Sequence, residues 1–103
     1  MPDPVLEHIK TALRQSYGDR LERIVLYGSR ARGDAREDSD YDVAVFLNEI
    51  ESRWTEFQTL ARIELAILHE TGLSVHAMPY RAGALSDARS PLMYEIRRDG
   101  VEL

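Results

Sequence analysis

Two short stretches of this 103-residue chain carry side chains suited to phosphate and metal chemistry. Gly28-Ser29 follows the run Arg23-Ile24-Val25-Leu26-Tyr27, which reads as a strand. Glycine permits a sharp turn and a close backbone approach to a ligand. Ser29 stands where it can cap a short helical turn through Arg30, Ala31 and Arg32. The N–H groups at a helix start favour an anion such as phosphate. The Ser29 hydroxyl adds a donor, and Arg30 and Arg32 add positive charge. Ten residues separate Ser29 from Asp40, which with Asp42 flanks Tyr41 at the start of a second apolar strand, Tyr41 to Leu47. Side chains alternate along a strand, so the two carboxylates share one face. Adjacent carboxylates repel, and Mg²⁺, a hard cation that takes carboxylate and phosphate oxygens together, relieves that repulsion. The first stretch can hold a triphosphate and the second a divalent metal. Together they describe a nucleotidyl-transfer site, with Gly28, Ser29, Arg30, Asp40 and Asp42 around the nucleotide and Asp40 and Asp42 on the metal.

Other readings of these residues fit less well. Alone, Gly28-Ser29 is an ordinary strand-to-helix turn. The run Asp38-Ser39-Asp40-Tyr41-Asp42 has the start of a calcium loop, with Glu49 at the twelfth position, but Val43 occupies the sixth, where that loop needs glycine. No Gly-Lys-Ser/Thr follows Gly28, so this is not a Walker P-loop.

Gly28-Ser29, ten residues, then Asp40-Tyr41-Asp42 resembles the signature of the DNA polymerase β-like nucleotidyltransferase superfamily. The short length, the Arg30-Ala31-Arg32-Gly33 run, Ser39 and the tail from Pro91 to Val101 are similar to its minimal nucleotidyltransferase branch. That resemblance implies transfer of AMP from ATP with Mg²⁺ as metal cofactor. It also implies an antitoxin whose partner is a HEPN-domain toxin, a small helical RNase silenced by modification of a tyrosine. Members that catalyse add a third carboxylate from the third strand. Here that strand is Leu73-Ser74-Val75-His76-Ala77-Met78 and holds no acid. By alternation Ser74, His76 and Met78 share a face, which puts His76 where the acid is expected. A lone histidine is more often structural, but an imidazole titrating near about 6.5 can serve as general base. The catalytic set is therefore Asp40, Asp42 and His76. The alternative is a non-catalytic nucleotide-binding antitoxin that neutralises its partner by contact alone.

The remaining pattern supplies the elements that must position these groups. Asp3 N-caps a first helix with Pro4 at its first position, the stripe Val5, Leu6, Ile9, Ala12, Leu13 and an end at Gly18. The longest helix spans about Glu51 to Glu70, capped by Gly72, with Trp54, Phe57, Leu60, Ala61, Leu65 and Leu68 on one side as core. Pro79 ends the third strand, Tyr80 and Arg81 are exposed loop, and Ala82 to Arg89 is loop. Ser90-Pro91 opens a last helix that Gly100 closes. The order of helices and strands predicts an α/β (α+β) architecture, a small mixed sheet backed by helices in the nucleotidyltransferase fold. Residues 1–103 form one domain.

Composition narrows the classes further. No apolar run approaches the roughly 20 residues of a membrane helix, and no secretory leader is evident. Zero cysteines exclude disulfides and thiolate metal sites and suit the cytoplasm. A net charge of −5 argues against stable nucleic-acid binding. His8 and His69 lie too far apart in sequence to suggest a metal cluster, Arg36 reads as solvated loop, and homo-oligomerisation is left open.

Overall fold

The computed structural model describes residues 3–103. Helix α1 runs from Pro4 to Tyr17, and Asp3 caps it as expected, its Oδ1 accepting from the Val5 N–H at 2.9 Å. Val5, Ile9, Leu13 and Tyr17 form its buried stripe. Gly18 ends it and a 3₁₀ turn, Gly18–Arg20, leads into strand β1, Leu21–Tyr27. Then come the short helix α2, Ser29–Arg32, strand β2, Tyr41–Leu47, and helix α3, Arg53–Thr71. Strand β3, Val75–Arg81, a 3₁₀ turn, Ala82–Ser86, helix α4, Pro91–Asp99, and strand β4, Val101–Glu102, complete the order.

The sheet is mixed, ordered β3-β2-β1-β4. β1 is antiparallel to both β2 and β4, whereas β2 and β3 are parallel, as the α3 crossover between them requires. One face packs under α1 and α3. Val43, Val45 and Leu47 of β2 meet Ile24 and Leu26 of β1 and the α1 stripe there. The other face is covered by α4, where Val25, Ala44 and Phe46 meet Met93 and Ile96. Asp42 belongs to this second face by alternation, two residues before Ala44.

Several sequence expectations need correction. β1 starts at Leu21 rather than Arg23, and α3 starts at Arg53, with Ser52 as its cap. β3 continues through Pro79 to Arg81. The outward Ala77 N–H is taken by Glu64 Oε2 at 2.9 Å, and Pro79, two residues on, turns its nitrogen to the same unpaired side. A proline on that side of an edge strand forfeits no ladder bond. Tyr80 is therefore strand and not exposed loop, half-buried with its ring centroid 5.7 Å from that of Phe46. β4 had no sequence signal at all; its two residues pair with Val25 and Leu26.

The largest correction concerns α3. Trp54 is 71% exposed and Leu65 67%, while Phe57 and Leu68 are also exposed. The core face of α3 carries Leu60, Ile67 and the buried acid Glu56. This helix has two apolar faces, and of the six residues expected in the core only Leu60 is buried.

Candidate active site

Strand register gathers the predicted residues. Tyr27 of β1 pairs with Asp42 of β2, and Asp42 pairs with His76 of β3, so the three lie in a row across the sheet. His76 Nε2 is 3.2 Å from Asp40 Oδ2. Asp40, Asp42 and His76 thus meet at one sheet end, on the face that alternation assigned to them. No three His, Asp or Glu side chains among the described residues converge on a common metal position.

Gly28 is the hinge of the arrangement. Its φ of 75° and ψ of −156° lie where side chains are not tolerated. A Cβ placed on it would stand 2.5 Å from Asp42 Oδ2. The Asp42 carboxylate therefore rests against the bare glycine, and the turn and the acid pair form one unit. Gly28, not Ser29, is the N-cap of α2, and no side chain caps that helix. The reason is the glycine's own backbone angle, which puts the helix boundary one residue earlier than expected. Ser29 becomes the first helical residue, half-buried, with its carbonyl accepting from Gly33 and Asp34.

Arg30 has a specific engagement. Its Nη2 donates to the Ser39 carbonyl at 2.8 Å and to the Glu37 carbonyl at 3.0 Å, and its guanidinium lies 4.2 Å from the Tyr41 ring centroid. It clamps the loop that delivers Asp40. The Tyr41 hydroxyl in turn donates to Asp3 Oδ2 at 2.8 Å. Arg32 Nη1 reaches Glu95 Oε1 of α4 at 3.4 Å and its Nε reaches Asp34 at 3.3 Å. Arg36, as expected, is exposed.

Electrostatics couple these groups. Burial pushes the Asp42 carboxyl above the ordinary carboxylate value; His76 and Arg32 oppose this, and Asp40 and Glu95 add to it. Burial also lifts the Tyr27 phenol to about 12, with Tyr80, Asp42 and Glu95 adding. Glu95 is the acid that sequence reasoning missed. Its place depends on how α4 docks on the sheet, which no local pattern records. His8, far from this site, pairs with Glu70 at 3.2 Å.

The family model for the nucleotidyltransferase domain matches residues 6–97. The chain belongs to the nucleotidyltransferase domain family. Two relatives from Methanocaldococcus jannaschii, both provisionally named protein adenylyltransferases, match it. One is 37% identical over 46 residues, covering 45% of this chain and 46% of the relative. The other is 32% identical over 76 residues, covering 73% and 52%. The chain spans about half the length of the curated relatives it matches. A solved structure provisionally described as a minimal nucleotidyltransferase is 26% identical with a TM-score of 0.61, covering 96% of this chain and 88% of that one. A toxin–antitoxin structure with AMP-PNP shares the fold at 21% identity and a TM-score of 0.65, covering 93% and 69%. So does a complex of a tri-AMPylated Shewanella oneidensis HEPN toxin with its MNT antitoxin, at 13% identity and 0.57, covering 95% and 70%. This nucleotidyltransferase domain has no helix, among its described residues, long and apolar enough to cross a membrane.

Proposed function

We propose that this nucleotidyltransferase domain transfers AMP from ATP to a hydroxyl, the acceptor being a tyrosine of a HEPN-type toxin that it silences in the cytoplasm. The observation that carries this reading is the contact between the Gly28 turn and the Asp42 carboxylate, which sets the strand-to-helix turn directly against the acid pair. Names and descriptions of relatives and structural neighbours support it: protein adenylyltransferases, and antitoxins bound to an AMPylated HEPN toxin.

The donor set suits a hard cation. Asp40 and Asp42 supply oxygens from one face, and burial holds the Asp42 carboxyl above its ordinary value. Asp40 and Asp42 would hold Mg²⁺, which would supply Lewis-acid stabilisation of the charge that develops in the transfer. Gly28 and Ser29 receive the phosphates, and Arg30 fixes the loop that carries Asp40. The acceptor oxygen attacks the α-phosphorus, its bond to the pyrophosphate oxygen breaks, and pyrophosphate departs. His76 takes the hydroxyl proton, oriented by Asp40 at 3.2 Å.

A second reading has its own support. β3 supplies His76 where catalytic relatives are expected to have an acid, and among the described residues no third carboxylate converges on the pair. On that reading the chain binds nucleotide and neutralises its partner by contact alone. Transfer of labelled AMP to a co-expressed HEPN protein from the same source separates the two. We expect transfer by the natural chain that is lost in His76→Ala with folding intact. No transfer by the natural chain, with strong transfer by His76→Asp, would establish the binding-only reading.

A further inference from the structure

The exposed apolar face of α3 is not explained by the active site. Trp54, Phe57, Ala61, Leu65 and Leu68 lie along it as one stripe, pointing away from the core residues Leu60 and Ile67. At 100° per residue the five fall within an arc of roughly 80°. Exposed single hydrophobics need no explanation, but a contiguous stripe with Trp and Phe does.

The stripe is symmetric about its smallest member. Trp54 and Leu68 each stand seven residues from Ala61, and Phe57 and Leu65 each stand four. We propose that α3 is the interface of a two-fold homodimer in which the α3 helices of two copies pack antiparallel across Ala61. The rotation that sets Ala61 against its own copy places Trp54 level with Leu68 of the second copy, and Phe57 level with Leu65. Each outer layer then pairs an aromatic with a leucine, and the central Ala61 layer is small enough for helix axes to approach to about 8 Å. Self-complementarity of this kind is what an isologous interface requires.

Area agrees with this occupant. Closing two such stripes removes on the order of 1,000 Å² of surface in total, the floor for a specific interface. The association is therefore expected to be concentration-dependent. Edge-to-edge growth of the sheet at β3 is a poorer route, because Glu64 already occupies the outward Ala77 N–H. One end of the stripe, at Leu65 and Leu68, borders a groove of about 420 Å³ that also includes Ser74 and His76. The dimer thus brings Trp54 of the second copy to the active-site end of α3.

The whole chain tests this without any ligand. Trp54 is the sole tryptophan, so its emission reports this surface alone. Over a concentration series, sedimentation equilibrium should pass from monomer to dimer while Trp54 emission shifts to the blue, and Leu65→Glu should abolish both changes. The chain has no cysteine, so a single introduced thiol is diagnostic. Oxidised Ala61→Cys should give a covalent dimer, because a disulfide needs Cα atoms within about 7 Å. Ala66→Cys, exposed but roughly 140° round the helix, should not. A monomer at every concentration, or equal cross-linking at both positions, overturns the proposal. So does a chain that stays monomeric and buries Trp54 only when a HEPN protein is added.

Discussion

Asp42 is held in a position that favours its neutral form. Burial, with Asp40 and Glu95 near, raises its carboxyl above the ordinary 3.8, so ionisation is easier in the unfolded chain than in the folded one. The stability that Asp42 contributes is complete below pH 3.8 and is lost as pH rises through its folded value. Asp42→Asn removes that cost at neutral pH. We expect a rise in Tm near neutrality, vanishing as the pH falls towards the ordinary carboxylate value, where the natural side chain is protonated in both states. Thermal melts across that pH range check it; a lower Tm for the variant at neutral pH would contradict the assignment of strain to this carboxylate. A gain in stability at a residue needed for function is the usual signature of a site. Asp40, Asp42 and His76 were legible in the sequence because strand alternation is local and the β2–β3 pairing is in register. Glu95 and the engagement of Arg30 with Ser39 were not, since both depend on where a helix or loop folds back.

At the scale of elements, the join between α1 and α3 is the most exacting. Arg20, in the turn after α1, forms an ion pair with Glu56, which is only 2% exposed, and also donates to the Glu49 carbonyl at 2.9 Å. The second Glu56 oxygen and the nearby Tyr17 hydroxyl are buried without a partner. Burial and the Glu56 charge together lift the Tyr17 phenol to about 12, against the pull of Arg20. Removing Arg20 strands a buried carboxylate, so Arg20→Ala should cost about 3 kcal/mol in urea unfolding, and adding Glu56→Gln should restore part of that loss. An Arg20→Ala variant as stable as the natural chain would mean that the pair is ornamental. α1 was readable because Asp3-Pro4 marks its start and one apolar stripe its core. α3 was not, because Leu60 and Ile67 form one apolar face while Trp54, Phe57, Leu65 and Leu68 form another. Periodicity detects a face but cannot say which of two meets the sheet. The length of β3 likewise depended on its edge position, which makes Pro79 harmless there.

Across the whole molecule, the sheet divides labour between its faces. α1 and α3 bury one face, α4 packs on the other, and the Gly28 turn meets Asp42 where β1 ends and β2 starts. The net charge of −5 and the acid pair at the site both repel a free triphosphate. Nucleotide binding should therefore depend on the metal rather than merely gain from it. A ligand present at about 100 times its Kd stabilises the folded state by about 2.7 kcal/mol. For a domain of this size that corresponds to a Tm rise on the order of 10 °C. We expect such a rise with Mg²⁺ and ATP together, and its disappearance when EDTA is added to the same ATP. Asp40→Asn/Asp42→Asn should show no ligand-dependent rise from either mixture. Because the readout is stability, it holds whether or not AMP is ever transferred, and so tests the metal and nucleotide site apart from the chemistry. An equal rise with EDTA, or an undiminished one in the double variant, would place nucleotide binding somewhere other than this sheet end.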